Sequence, residues 1–239
     1  MKRLILLALA SAVLAAPAAA EARAHVQLMV AGKSAVLAGP ERVALVARTV
    51  RVAGKRCSIG RATPLSVLAG AGVPFSLKDY GACSHRARDA GSLYVRRIGP
   101  DRERGRDGWV YKVGRRAGSG GGADPAGSFG TGRLLRAGQR VLWFWCVKDA
   151  ADSCQRTLEL APAVERIAPG ATLSVTVRGY DDNGAGALVD GATVTLGAAS
   201  AVTGPDGVAT LTAPAAGTYR VQASRPGMVV SFPERVVVG

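Results

Sequence analysis

The chain has 239 residues, 48% of them hydrophobic, which suits one or two packed domains. Its formal net charge of +14 is uneven: residues 25–159 hold 23 basic and 10 acidic side chains, whereas residues 160–239 hold 5 and 6. A glycine count of 31 beside 5% aromatics argues for turns and short strands rather than long helices, and neither a P-loop nor a G-x-S-x-G nucleophile turn occurs.

The first 24 residues, MKRLILLALASAVLAAPAAAEARA, predict a cleavable secretory signal. Lys2 and Arg3 supply a positive start, Leu4 to Ala16 an apolar run, and Pro17 a break before small residues. Cleavage fits after Ala20 or after Ala24. The apolar run is shorter than the ~20 residues a spanning helix needs. No later run of that length is present, so no stable membrane insertion is expected. The expectation is a secreted, extracellular protein, in the cell wall or free of it. A basic surface there meets an anionic cell-wall polymer or a small ligand. Export sets nucleic acid aside, and the bland alternative is a solvated arginine-rich surface. Nothing in the sequence speaks to oligomeric state.

Residues 25–53 alternate apolar and polar in HVQLMV and RVALVARTVRVAG, which predicts strands. Thr63-Pro64 predicts a helix start, with Thr63 as N-cap, running through LSVLAGAG to about Gly72. Ser92 to Gly99 reads as a strand. In GWVYKVG, Trp109, Tyr111 and Val113 share one face, and Val110 and Lys112 the other. The glycine-dense stretch that follows, Arg115 to Arg133, predicts a flexible loop. VLWFWCV is strongly β-like, and QRTLEL closes the region near Leu160. Ala161 to Gly170 reads as a linker. Beyond it TLSVTVRGY, GATVTLG, GVATLTA, GTYRVQA, GMVVSF and ERVVVG, divided by DDNG, GPDG and RPG turns, describe a small β-sandwich over residues 171–239.

Four cysteines remain after the signal: Cys57, Cys83, Cys146 and Cys154. An even count in an exported chain implies two disulfides. Three pairings are possible. The short polar loop VKDAADS suits Cys146 with Cys154, which leaves Cys57 with Cys83. No C-x-x-C spacing supports a zinc site.

Two resemblances follow from these residues. Residues of about 63–147 resemble the transcobalamin C-terminal-like domain, a β-grasp-type module. The carrying motifs are Thr63-Pro64-Leu65-Ser66-Val67-Leu68, Gly108 to Gly114 (GWVYKVG), and Leu135 to Trp145 (LRAGQRVLWFW). Gln139 stands where that family has an acidic residue, and the Gly-rich insertion and cysteines are additional. Residues 162–239 resemble bacterial immunoglobulin-like or carboxypeptidase-regulatory-like domains through GATVTLG, TGPDGVATLTAP and GTYRVQASRPG, with Tyr219 at a sandwich corner. The first resemblance implies ligand binding, cobalamin included. The second implies a spacer or adhesion module.

The expected fold is mostly β: an α+β, β-grasp-like first domain with one short helix over residues 25–160, then an immunoglobulin-like sandwich. No acid–base pair, catalytic residue, metal site or cofactor is legible. With only His25 and His85 after the signal, copper chelation at a His25 N-terminus is a remote option, and a calcium loop at Asp181 to Gly184 with Asp190 lacks a full ligand pattern. Trp109, Tyr111, Trp143 and Trp145 are the candidate ligand-binding residues, since aromatic ladders stack on flat ligands. The other reading of the same four is a filled core, the commoner fate of large aromatics. The sequence implies a non-catalytic binding or cell-surface interaction protein. The alternative is an extracellular small-molecule carrier.

Overall fold

A computed structural model describes residues 24–162 and 165–239; the predicted signal, apart from Ala24, lies outside them. The first domain is built on strands β1 (His25–Ala31), β2 (Val36–Ala44), β3 (Arg48–Val52) and β4 (Lys55–Ile59) and helix α1 (Pro64–Leu68). Strands β5 (Phe75–Asp79), β6 (Leu93–Ile98), β7 (Asp101–Arg102), β8 (Gly108–Val113), β9 (Arg116–Ala117) and β10 (Arg140–Cys146) follow. The main sheet has the order β2-β1-β10-β8-β9. Its first and last long strands, β1 and β10, run parallel at the centre, with Leu28 opposite Val141 and Val30 opposite Trp143. That is the β-grasp arrangement. A parallel pair needs a crossover, and here the chain between β2 and β8 crosses one face, carrying α1 and two small sheets, β3-β4 and β5-β6-β7.

The helix begins where Thr63-Pro64 places it. Thr63 Oγ1 accepts from the Ser66 amide and Ser66 Oγ from the Thr63 amide, a reciprocal cap, with Pro64 in the first turn. It is shorter than expected, ending at Leu68 rather than near Gly72. Gly70 is a poor helix former, and Gly72 turns the chain at φ +69°.

The second domain contains β11 (Thr157–Pro162), β12 (Arg166–Ile167), β13 (Thr172–Tyr180), β14 (Gly186–Leu188), β15 (Thr193–Leu196), β16 (Ala199–Val202), β17 (Val208–Thr212), β18 (Gly217–Ser224) and β19 (Glu234–Val238). One sheet is centred on β13, with β11 on one side and β14 and β17 sharing the other. The other has the order β12-β19-β18-β15-β16. The alternation of TLSVTVRGY puts Leu173, Val175 and Val177 inward against Val194, Leu196, Val221 and Val236. Tyr219 packs on this core and donates its hydroxyl to Ala215 O at 2.9 Å.

Two expectations about segments are corrected. QRTLEL does not close the first domain: β11 pairs along its length with β13, so the sandwich begins at Thr157, and part of the expected linker, Ala161 and Pro162, is strand. GMVVSF is not a strand. Its apolar residues Val229, Val230 and Phe232 leave the sandwich and pack on Met29, Ala31, Leu142 and Phe144, the outer face of the first sheet. Each domain therefore buries part of the other, and β1 and β10 are covered on both faces.

Candidate ligand-binding site

The four predicted aromatics come together. Strands β8 and β10 are antiparallel neighbours with Tyr111 opposite Trp143 and Trp109 opposite Trp145. The Trp109 and Trp145 rings meet edge-on at 5.8 Å, and Tyr111 tilts against Trp143 at 5.1 Å. All four are 2–5% exposed. The polar atoms of three of them are satisfied within the chain: Trp109 Nε1 donates to Asp101 O, Trp143 Nε1 to Pro64 O, and the Tyr111 hydroxyl to Gly120 O. Burial pushes the Tyr111 phenol up to about 12.

The Gly-rich segment is what lies on the aromatic face. A Cβ on Gly118 would stand 2.1 Å from the Tyr111 ring, and one on Gly122 2.9 Å from the Trp143 ring. Glycine is needed there for close approach. The segment is also tied down, because Gly120 O accepts from Tyr111 and Gly122 O from the Leu65 amide. The expected flexible loop is thus an ordered lid, and it takes the place that stacking on Tyr111 and Trp143 would give a flat ligand. Trp109, Tyr111 and Trp143 are core residues.

Trp145 alone of the four also borders a cavity. A cleft of about 630 Å³ opens where the β1–β2 turn (Gly32 to Ala35), the disulfide loop after β10, and Ser224 to Val230 of the sandwich meet. Its lining is mainly apolar and includes Val36, Val147, Met228 and Val229. Val36 and Val147 are two of the exposed large hydrophobics among the described residues. Lys33 Nζ stands 4.1 Å from the centroid of the Trp145 ring, a cation–π contact, while its amide donates to Asp101 Oδ2 and fixes the turn. Lys148 also lines the cleft and donates to Asp152 O. Asp149 uses Oδ1 to accept from the Ser153 amide.

The loop carrying Val147 and Lys148 is held from both ends. Cys146 is bonded to Cys154, and Cys57 to Cys83, the connectivity that the short loop suits. The Gln155 side chain donates to Trp145 O and accepts from the Val147 amide, bridging the two arms of the loop. An apolar trough with an ammonium held over an indole at its edge fits a small organic molecule with an apolar body and an anionic group. Sequence reasoning singled out Trp145 but missed Lys33, Val147 and Met228, which sit in turns and match no motif. The available signal was the apolar run GMVVSF, read as one more strand.

No family model and no curated protein matches the chain. The transcobalamin resemblance therefore stands on the motif residues alone. Among solved structures, the D00-D0 domain of Intimin is similar at 13% identity over 81% of this chain and 93% of that chain, with a TM-score of 0.27. A superposition that loose carries no argument.

The junction behind the cleft is pinned by Lys112, whose side chain is fully buried. On β8 it points away from Trp109 and Tyr111, into the sandwich. Nζ donates to Thr157 Oγ1 at 3.2 Å, Tyr180 O at 2.9 Å and Asp181 O at 2.8 Å, and lies 3.8 Å from Asp182 Oδ1. Loss of water pushes the ammonium down to about 8, against the pull of the Asp182 and Asp181 charges. Asp182 in turn accepts from the Cys154 amide. Arg140 with Glu234 and Arg115 with Glu159 add ion pairs across the same junction.

The DDNG segment is a self-capped turn. Asp181 Oδ1 accepts from the Ala185 and Asn183 amides, which hold its carboxyl below the usual range despite partial burial. His25 lies on β1, and His85 in the loop between β5 and β6. Among the described residues no group of three His, Cys, Asp or Glu side chains is placed to hold a metal.

Proposed function

We propose that the protein is a non-catalytic extracellular binding protein whose domain-junction cleft holds a small amphipathic organic anion. The observation that carries this reading is the cleft itself, with Lys33 over Trp145 at its edge and Val36, Val147, Met228 and Val229 in its lining. Its size falls within the roughly 300–1,000 Å³ of ligand pockets. The two disulfides suit an oxidising compartment. Among the described residues no helix is long and apolar enough to cross a membrane. A cobalamin carrier draws less support, because of the motif residues behind that resemblance only Trp145 lines the cleft.

The test is a titration with 8-anilinonaphthalene-1-sulfonate, an apolar fluorophore with one anionic group, followed by displacement with laurate. The expected result is one saturable site, displaced by laurate and weakened at least fivefold by Val147→Glu, which puts a like charge in the cleft. No saturable signal from folded protein, or a Val147→Glu variant that binds as wild type, overturns the reading.

A further inference from the structure

A second cleft, of about 470 Å³, lies beside the Gly-rich lid and is lined by side chains of a different kind. Arg116, Arg133 and Arg136 line it together with Ser119, Thr131 and Asn183. The three arginines are exposed, and none of them forms a salt bridge among the described residues. Elsewhere in the first domain arginines near carboxylates are paired: Arg96 with Glu103, Arg106 with Asp152, and Arg115 with Glu159. The one carboxylate in the lining, Asp182, already faces Lys112 at 3.8 Å and accepts from the Cys154 amide. The positive charge of the cleft is therefore uncompensated.

The arginines also stand on ordered backbone. Arg116 is in β9, paired with Val113, and its guanidinium lies over the Phe129 ring at 5.3 Å. Arg133 is bridged to Gly127, whose amide is held by Asp124 O. The Arg136 amide donates to Gln139 Oε1, closing the turn before β10. Guanidinium forks match phosphate and carboxylate oxygens, two hydrogen bonds at a time. The hydroxyls of Ser119 and Thr131 and the amide of Asn183 suit the hydroxyl groups of a polyol or sugar.

We infer that this cleft binds an anionic, hydroxyl-rich oligomer, in which phosphate or carboxylate groups recur along a polyol or sugar backbone. The site is separate from the amphiphile cleft and does not depend on it. Phe129 is the one aromatic residue in the lining, and Arg116 lies over its ring, so the cleft has no series of aromatic rings for successive bases to stack on, and the hydroxyl and amide lining favours the polyol class over nucleic acid.

The test measures binding of the disulfide-intact protein to immobilised poly(glycerol phosphate), polygalacturonate and uncharged dextran, with poly(dT) as the nucleic-acid arm. Expected are salt-sensitive binding to the first or second polymer and none to dextran. The preferred polymer identifies the anionic group. Arg116→Gln, Arg133→Gln and Arg136→Gln should each weaken binding several-fold and together at least tenfold, with the melting temperature unchanged because all three side chains are exposed. Laurate affinity should be the same in every variant, which separates failure here from failure of the cleft reading. A triple variant that binds either polymer like wild type, equal binding to dextran, absence of binding to both anionic polymers, or tighter Arg116-dependent binding to poly(dT) overturns the inference.

Discussion

Replacing Lys112 with Met tests how the two domains are joined. The methionine fills a similar volume but carries no charge and no donors. In an unfolded chain a lysine keeps its proton to its ordinary value of 10.5, whereas burial brings Lys112 down to about 8. Between those values the unfolded state binds more protons than the folded one, so the free energy of unfolding rises with pH through that window. A span of about 2.5 pH units at about 1.4 kcal/mol each corresponds to on the order of 3 kcal/mol. Below pH 8 the ammonium is retained at a desolvation cost, partly offset by its bonds to Thr157, Tyr180 and Asp181. At neutral pH the variant both loses those bonds and escapes that cost. The pH dependence is therefore a cleaner readout than the absolute stability.

The assay is urea unfolding at several pH values from 7 to 10.5, followed by tryptophan fluorescence, since all three tryptophans lie in the first domain. Tyr111 and Tyr94, whose phenols burial raises, titrate in both proteins and cancel in the difference. The wild-type stability minus that of Lys112→Met should climb by on the order of 3 kcal/mol between pH 8 and 10.5. A difference that stays flat or falls refutes the buried, hydrogen-bonded lysine.

Trp143→Ala should cost about 3–5 kcal/mol, read by thermal unfolding, because the ring is core beneath the lid and not a docking platform. Gly122→Val should cost on the order of 1–3 kcal/mol by forcing the lid off Trp143, with enhanced proteolysis between Gly118 and Arg133 as the check. Replacing both Cys146 and Cys154 with Ser opens a loop with a sequence separation of 8 and should cost about 2.5 kcal/mol on the chain-entropy estimate. The same variant should weaken laurate binding, because that loop carries Val147 and Lys148.

Much of the framework was legible where local chemistry decides it. Thr63-Pro64 encodes its own cap, and the alternation in GWVYKVG and VLWFWCV fixes which side chains share a face. The sandwich turns are marked by their glycines. What escaped was the relation between domains. GMVVSF has a strand's composition, yet its side chains complete the outer face of a sheet some 85 to 200 residues earlier in the chain. Lys112 reads as the polar face of a half-exposed strand and is buried only because the sandwich docks there. Gly density reads as freedom, but glycines without side chains also let backbone lie directly on aromatic rings, as Gly118 and Gly122 do. The cleft is assembled from three turns that share no motif, so only Trp145 was within reach of pattern reasoning.

The central claim, that both domains build one ligand site at their junction, is tested most directly by mapping laurate onto isotopically labelled protein by NMR. Amides of Lys33 to Val36, Val147 to Asp149 and Gly227 to Val230 should shift together along one saturable curve, while those of Gly118 to Arg133 stay in place. Shifts confined to one domain, or saturable shifts centred on the Gly-rich lid, would contradict it.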